Sequence, residues 1–144
     1  MVSTRSIAGA EAGFVPGSIA AGRRKVEQRV EKAAYRSHGH AAASIRKDAS
    51  GSIKQRKKKR KAAPAGSPPF QHQAGFFRRA LRYWVDRHRE DAVIGFLRSR
   101  VGPVASAHEH GEMEGGRNYP ERPVMRPALN RNRDRFAKNW RASI

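Results

Sequence analysis

"AGFFRRALRYWVDRHREDAVIGFLRS", residues 74–99, is the densest run of large apolar side chains in the chain. Inside it, "LRYWVD" (81–86) and "AVIGFL" (92–97) are short stretches rich in β-branched and aromatic residues. The polar stretch Arg87 to Asp91 separates them. That arrangement predicts a β-hairpin with a four- or five-residue loop. Strand side chains alternate between faces, so Leu81, Tyr83 and Val85 point one way and Trp84 the other.

Downstream, Gly102-Pro103 breaks the chain before "VASAHEHGE" (104–112), whose type the pattern does not decide. "MEGGRN" (113–118) predicts a flexible loop, and "YPERPVMRP" (119–127) holds three prolines in eight residues. "ALNRNRDRFAKNWRAS" (128–143) predicts a closing helix with Pro127 in its first turn. Leu129, Phe136 and Trp140, at steps of seven and four, form its apolar edge, and arginines form its back.

Upstream, "IKQRKKKRKAAPAGSPPFQHQ" places seven cations among the eight residues Lys54 to Lys61, followed by a Pro/Gly/Ser-rich segment. Like charges repel and stay solvated, and prolines cannot continue a helix, so residues 54–73 read as a loop or linker. From Ser18, an N-cap residue type, apolar positions Ile19, Val26, Val30, Ala33, Ala34, Ala41 and Ile45 recur at helical steps and form one narrow stripe on a basic helix. Gly39 weakens that helix by about 1 kcal/mol relative to alanine and is a candidate kink or end, which leaves one helix or two open for residues 18–47. Residues 1–17, small, Gly-rich and Pro-broken, predict a flexible arm.

The chain of 144 residues has room for one domain with a modest core plus extensions. Its 31 Lys and Arg against 12 Asp and Glu give 31 − 12 = +19, which attracts polyanions or acidic protein faces. Without cysteine, disulfides and thiolate metal sites are excluded. No apolar run approaches the roughly 20 residues of a membrane span, and the N-terminus lacks the apolar centre of a secretory signal, so no membrane partner is expected and the protein is expected to be made and kept in a cytoplasm.

The cluster His108-Glu109-His110-Gly111-Glu112 raises the question of metal catalysis. On a helix His108 and Glu112 share a face, and on a strand His108, His110 and Glu112 do. A zincin, however, needs His-Glu-x-x-His, and here the second histidine comes too early. The remaining histidines His38, His40, His72 and His88 fall in the basic arm or in turns. "EGGRN" neither follows a strand nor opens a helix, so it does not predict a phosphate-cradling loop, and no serine has nucleophile-elbow context. The expectation is a protein that is not an enzyme, with no catalytic or metal residues and no cofactor.

Three motifs of the second half, in order, resemble the head-tail joining, or tail-completion, family of tailed bacteriophages. Ala74, Gly75, Phe77, Arg78, Arg79, Ala80 and Leu81 stand at a (Thr/Ala)-Gly-x-Leu-Arg-Arg-Ser-Ile motif that leads into a strand. His108, Glu109 and Gly111 stand at a His-Glu-x-Gly segment. Pro120, Arg122, Pro123, Val124, Met125, Pro127, Ala128 and Leu129 stand at a Pro-x-Arg-Pro-Phe-Leu-x-Pro-Ala-Leu signature. The resemblance covers about half the chain, and Val124 and Met125 replace larger apolar residues of the pattern.

The resemblance implies an α+β protomer in which a small antiparallel sheet is flanked by an N-terminal and a C-terminal helix. Residues 18–144 would be a single domain that includes the basic loop 54–73. It implies a virion protein of the neck or tail top, one copy in a closed ring of head-to-tail contacts. Its partners would be further copies of itself, the tail tube or tail terminator protein, head connector or portal-side proteins, and packaged double-stranded DNA. The His-Glu-x-Gly segment would be a structural turn where the chain leaves a strand, with Gly111 at positive φ. Lys54, Arg56, Lys57, Lys58, Lys59, Arg60 and Lys61 are the candidate contacts to DNA or to an acidic partner. Gly75, Arg78, Arg79, His108, Glu109, Gly111, Pro120, Arg122, Pro123, Pro127 and Leu129 are the candidate docking residues. Composition by itself favours another class, a nucleic-acid-binding protein of ribosomal or histone-like type. Against that class, the basic block has no interleaved aromatics to stack on bases.

Overall fold

The computed structural model describes residues 16–55, 62–71, 75–89 and 91–143. Helix α1 (Pro16–Ser52) is followed by a short helix α2 (Phe76–Ala80) and the strands β1 (Leu81–Asp86) and β2 (Asp91–Phe96). Helices α3 (Arg98–Val101) and α4 (Val104–His110) lead to two-residue strands β3 (Met113–Glu114) and β4 (Arg117–Asn118). Helix α5 (Met125–Asn132), a 3-10 turn (Arg133–Arg135) and helix α6 (Phe136–Arg141) close the chain. The class is α+β: helices packed on a small antiparallel sheet.

The hairpin forms where its pattern predicts. Leu81 pairs with Phe96, Tyr83 with Ile94 and Val85 with Ala92 on the inner face, while Trp84 pairs with Val93 on the outer face. Asp91, placed in the turn from sequence, opens β2 opposite Asp86. The Asp86 carboxylate accepts the amide N–H of His88 at 2.8 Å and of Arg89 at 3.3 Å, which holds the turn from inside.

The core lies between the inner sheet face, the C-terminal third of α1 and α5. It contains Ile45, Ala49, Ile53, Leu81, Val124 and Ala128, with Phe77, Ile94, Phe96, Met125 and Phe136 packed around them. Arg46 fixes α1 against the hairpin by donating from Nε to the Leu81 carbonyl at 2.9 Å. Asn132 fixes α5 against α1 by donating from Nδ2 to Asp48 Oδ2 at 2.6 Å and to the Ala128 carbonyl at 2.9 Å.

Several expectations are corrected. Helix α1 starts at Pro16, two residues before the expected cap Ser18, because proline's fixed φ suits a first turn that needs no N–H there. Residues 16 and 17 therefore belong to the helix, and the rest of the proposed N-terminal arm lies outside the described residues. The helix runs unbroken through Gly39, since the flanking turns supply enough hydrogen bonds to carry one glycine. "VASAHEHGE" is mostly helix α4, and "MEGGRN" is a minimal β3–β4 hairpin turning through Gly115 and Gly116, both at positive φ. The closing helix is interrupted at Arg133–Arg135.

Burial also departs from apolar count. Trp84 is 73% and Val93 65% exposed, because a two-stranded sheet with α1 on one face leaves the other uncovered. At α5 and its N-cap the buried stripe is Val124, Ala128 and Asn132, at steps of four, and Leu129 on α5 (46%) and Trp140 on α6 (37%) are exposed. The close approach of α1 to α5 at Ala49 and Ala128 selects small residues there.

Of the predicted loop 54–73, Gln55 forms a parallel bridge to Gln71, and residues 56–61 and 72–74 lie outside the described residues. Among the described residues no helix is long and apolar enough to cross a membrane.

Candidate functional site

The three motif segments meet at one joint. Phe77, from the first segment, packs against Phe96 with ring centroids 4.6 Å apart and against the His108 ring at 5.9 Å, edge to face. The other side of His108 meets Tyr119 at 5.0 Å, again edge to face. Such aromatic pairs add a modest geometric preference to the area they bury.

Glu109 is the centre of the hydrogen bonding. From α4 its carboxylate accepts the backbone N–H of Val124 at 2.7 Å, of Met125 at 3.1 Å and of Arg126 at 3.0 Å. The next residue is Pro127, which has no N–H to satisfy. A helix leaves its first N–H groups without intrahelical partners, and the positive end of its dipole faces the same way. One carboxylate fifteen residues upstream thus caps α5 completely and neutralises that end, a task that Val124 at the N-cap position does not perform.

Gly111 ends α4 with φ +74°. A Cβ there would meet the Glu121 backbone N at 3.1 Å and its Cβ at 3.2 Å, so glycine serves both the left-handed backbone and the close approach of "YPERP". The expected structural turn is present, but the chain leaves a helix there and not a strand.

The proline-rich segment is clamped on both sides. Arg122 donates its backbone N–H to the His108 carbonyl and its Nε to the Ala63 carbonyl at 2.9 Å, and Gly66 N–H donates to the Glu121 carbonyl at 2.8 Å. Residues 62–71, α4 and the segment before α5 are thereby tied together. Arg122 and the burial of the ring act on His108: desolvation first, then the guanidinium charge, lower its pKa from the ordinary 6.5 and favour the neutral ring.

The other candidates are scattered. Gly75 takes φ +66° before α2, and Arg78 donates Nε to the Ser50 carbonyl at 2.9 Å. Arg79 and Pro120 are exposed, Pro123 and Pro127 half-buried, and Leu129 lies outside the joint. Lys54 is exposed, and Arg56, Lys57, Lys58, Lys59, Arg60 and Lys61 lie outside the described residues. Among the described residues no group of three or more His, Asp or Glu stands together as a metal site.

A second surface was not singled out from the sequence. All fourteen residues from Ile19 to Lys32 are exposed, including the apolar Ile19, Val26 and Val30. The outer half of α1 therefore stands away from the core as a basic helical arm. Helical spacing revealed its stripe, but only the placement of the sheet near Tyr35 shows where packing begins. There Arg87 of the hairpin turn lies 4.3 Å over the Tyr35 ring. No family model matches this sequence, and no curated protein or solved structure matches it.

Proposed function

We propose that this chain is a structural protein of the neck or tail top of a tailed bacteriophage, one protomer of a ring that completes the tail and joins it to the head along the DNA exit path. The observation that carries the proposal is the joint at His108 and Glu109. Three motifs separated in sequence, each resembling a segment of the tail-completion family, converge there. In that joint Phe77 touches His108, His108 accepts the Arg122 amide, and Glu109 caps the helix opened by Val124 to Pro127. Motif residues that hold one another in place are what a signature of fold requires, although the His108 Nδ1 is buried there without a partner among the described residues.

Glu109 and Arg122 are engaged in holding the fold, which suits a scaffold. Head-to-tail rings need two different contact faces on each protomer. The arm of α1 and the uncovered outer sheet face with Trp84 and Val93 are two such faces. The candidate partners are further copies of the chain, a tail tube or terminator protein, connector proteins on the portal side, and the packaged duplex.

A stop codon at Phe76 in the encoding phage tests the proposal, read by electron microscopy of the lysate. DNA-filled heads beside separate tails of normal length are expected for a joining role, and overlong tails for a terminator. Complete infectious particles would overturn it and favour a basic nucleic-acid-binding protein instead.

A further inference from the structure

The arm of α1 carries its charges in an unusual order. Lys25, Arg29, Lys32 and Arg36 follow one another at steps of four, three and four, so they share one face of the helix. All four are exposed, and none pairs with a carboxylate among the described residues. Of the two carboxylates of the arm, Glu27 lies on the opposite side and accepts from Arg23 Nε at 2.9 Å, and Glu31 lines a concavity beside Lys32. Like charges three and four residues apart weaken a helix, and interleaved carboxylates are the usual relief. Here the four cations stay aligned without an ion-pair partner among the described residues, an arrangement that an external polyanion would compensate.

We infer that this ridge is a binding site for the phosphate backbone of double-stranded DNA. At 1.5 Å rise per residue it extends about 16 Å with cations about 4.5 to 6 Å apart along the axis, a straight, single-sign array suited to a straight, regularly charged polyanion. The arm from Ile19 to Ala34 has no aromatic residue, so the ridge itself offers no platform for unstacked bases; the exposed aromatics Tyr35, Tyr83 and Trp84 gather at the hairpin beyond it. Contacts of this kind position a duplex without reading its sequence. The inference rests on the neck proposal only for the source of that duplex.

The test uses the full chain and a random-sequence 30-base-pair duplex, with affinity measured across salt concentrations. The variant K25Q/R29Q/K32Q/R36Q should lower the slope of log K against log salt by about 3 to 4, near 0.9 for each lost phosphate contact. A control with the same charge loss elsewhere, R82Q/R98Q/R100Q/R117Q, should lower it by less than half as much. Circular dichroism should show helix content equal or higher in the ridge variant, since its like-charge pairs are gone. If that variant fails to fold, K25Q/R29Q and K32Q/R36Q should each give about half the loss. An unchanged slope, or equal losses in ridge and control variants, would overturn the inference. So would a ridge variant that loses binding to polyglutamate but keeps it for the duplex, since that result makes the ridge a site for acidic protein. Such a failure leaves the lysate result untouched, and complete phage particles in the lysate leave the duplex binding untouched.

Discussion

The joint around Glu109 and the outer half of α1 are built from similarly polar sequence, yet they dispose of it in opposite ways. At the joint each carboxylate, carbonyl and guanidinium named above has a partner within the chain. On the arm, one ion pair apart, charges and apolar side chains alike face outward. Changes at the joint are therefore expected to act on stability, and changes on the arm on binding.

The contrast can be broken or sharpened by mutation. Leu81→Ala, in the fully buried centre of the core, should cost about 3 kcal/mol in chemical denaturation, and a cost below 1 would show that the hairpin is not anchored as described. Glu109→Ala should cost about 2 kcal/mol, because three N–H groups lose their acceptor at once. Glu109→Gln, which keeps one oxygen but not the charge, should cost less than alanine in the same assay. Gly111→Ala should cost about 1 to 2 kcal/mol more than Gly75→Ala. Both glycines have positive φ, but only at Gly111 does a Cβ press on backbone, that of Glu121.

A smaller effect is expected from pH. His108 has a lowered pKa in the folded state, so the unfolded chain binds the extra proton first as pH falls. Its contribution is complete above 6.5, declines as pH drops through that value, and stops changing below the folded-state pKa. His108→Gln should remove this step from the stability profile, and an unchanged profile would place the titration elsewhere. Smallest of all, Val26→Ala with Val30→Ala should change monomer stability by less than about 0.5 kcal/mol, since neither side chain packs on the core.

Much of this body is legible in the sequence. The period-two runs of Leu81–Asp86 and Ala92–Leu97 gave the hairpin, because alternation leaves few other ways to bury Leu81 and Phe96. That residues 18–47 are helical followed from the stripe, but its continuity through Gly39 did not, and a stripe cannot say which of its turns will find a partner. Ile19 and Ile45 look alike in sequence, and only the second meets the sheet. The size of Trp84 and Leu129 misled in the same way: burial depends on which faces approach closely, and small residues such as Ala49 and Ala128 permitted the approach. For the site, the motifs included His108, Glu109, Gly111 and Arg122, which the fold brings together, but the capping of α5 by Glu109 spans fifteen residues and has no local signature. The cationic ridge shows only when Lys25, Arg29, Lys32 and Arg36 are read in helical phase, whereas the Lys54–Lys61 block stands out by density alone.

The unbroken passage of α1 through Gly39 has a mechanical consequence. Ile45, Ala49 and Ile53 sit in the core at one end of the same rod whose other end is the arm. A load applied near Ile19 acts through a free lever of about 20 Å that ends where Ala33 and Ala34 become buried, with no loop between to absorb it. Whatever grips the arm therefore exerts torque directly on the packing beneath the sheet.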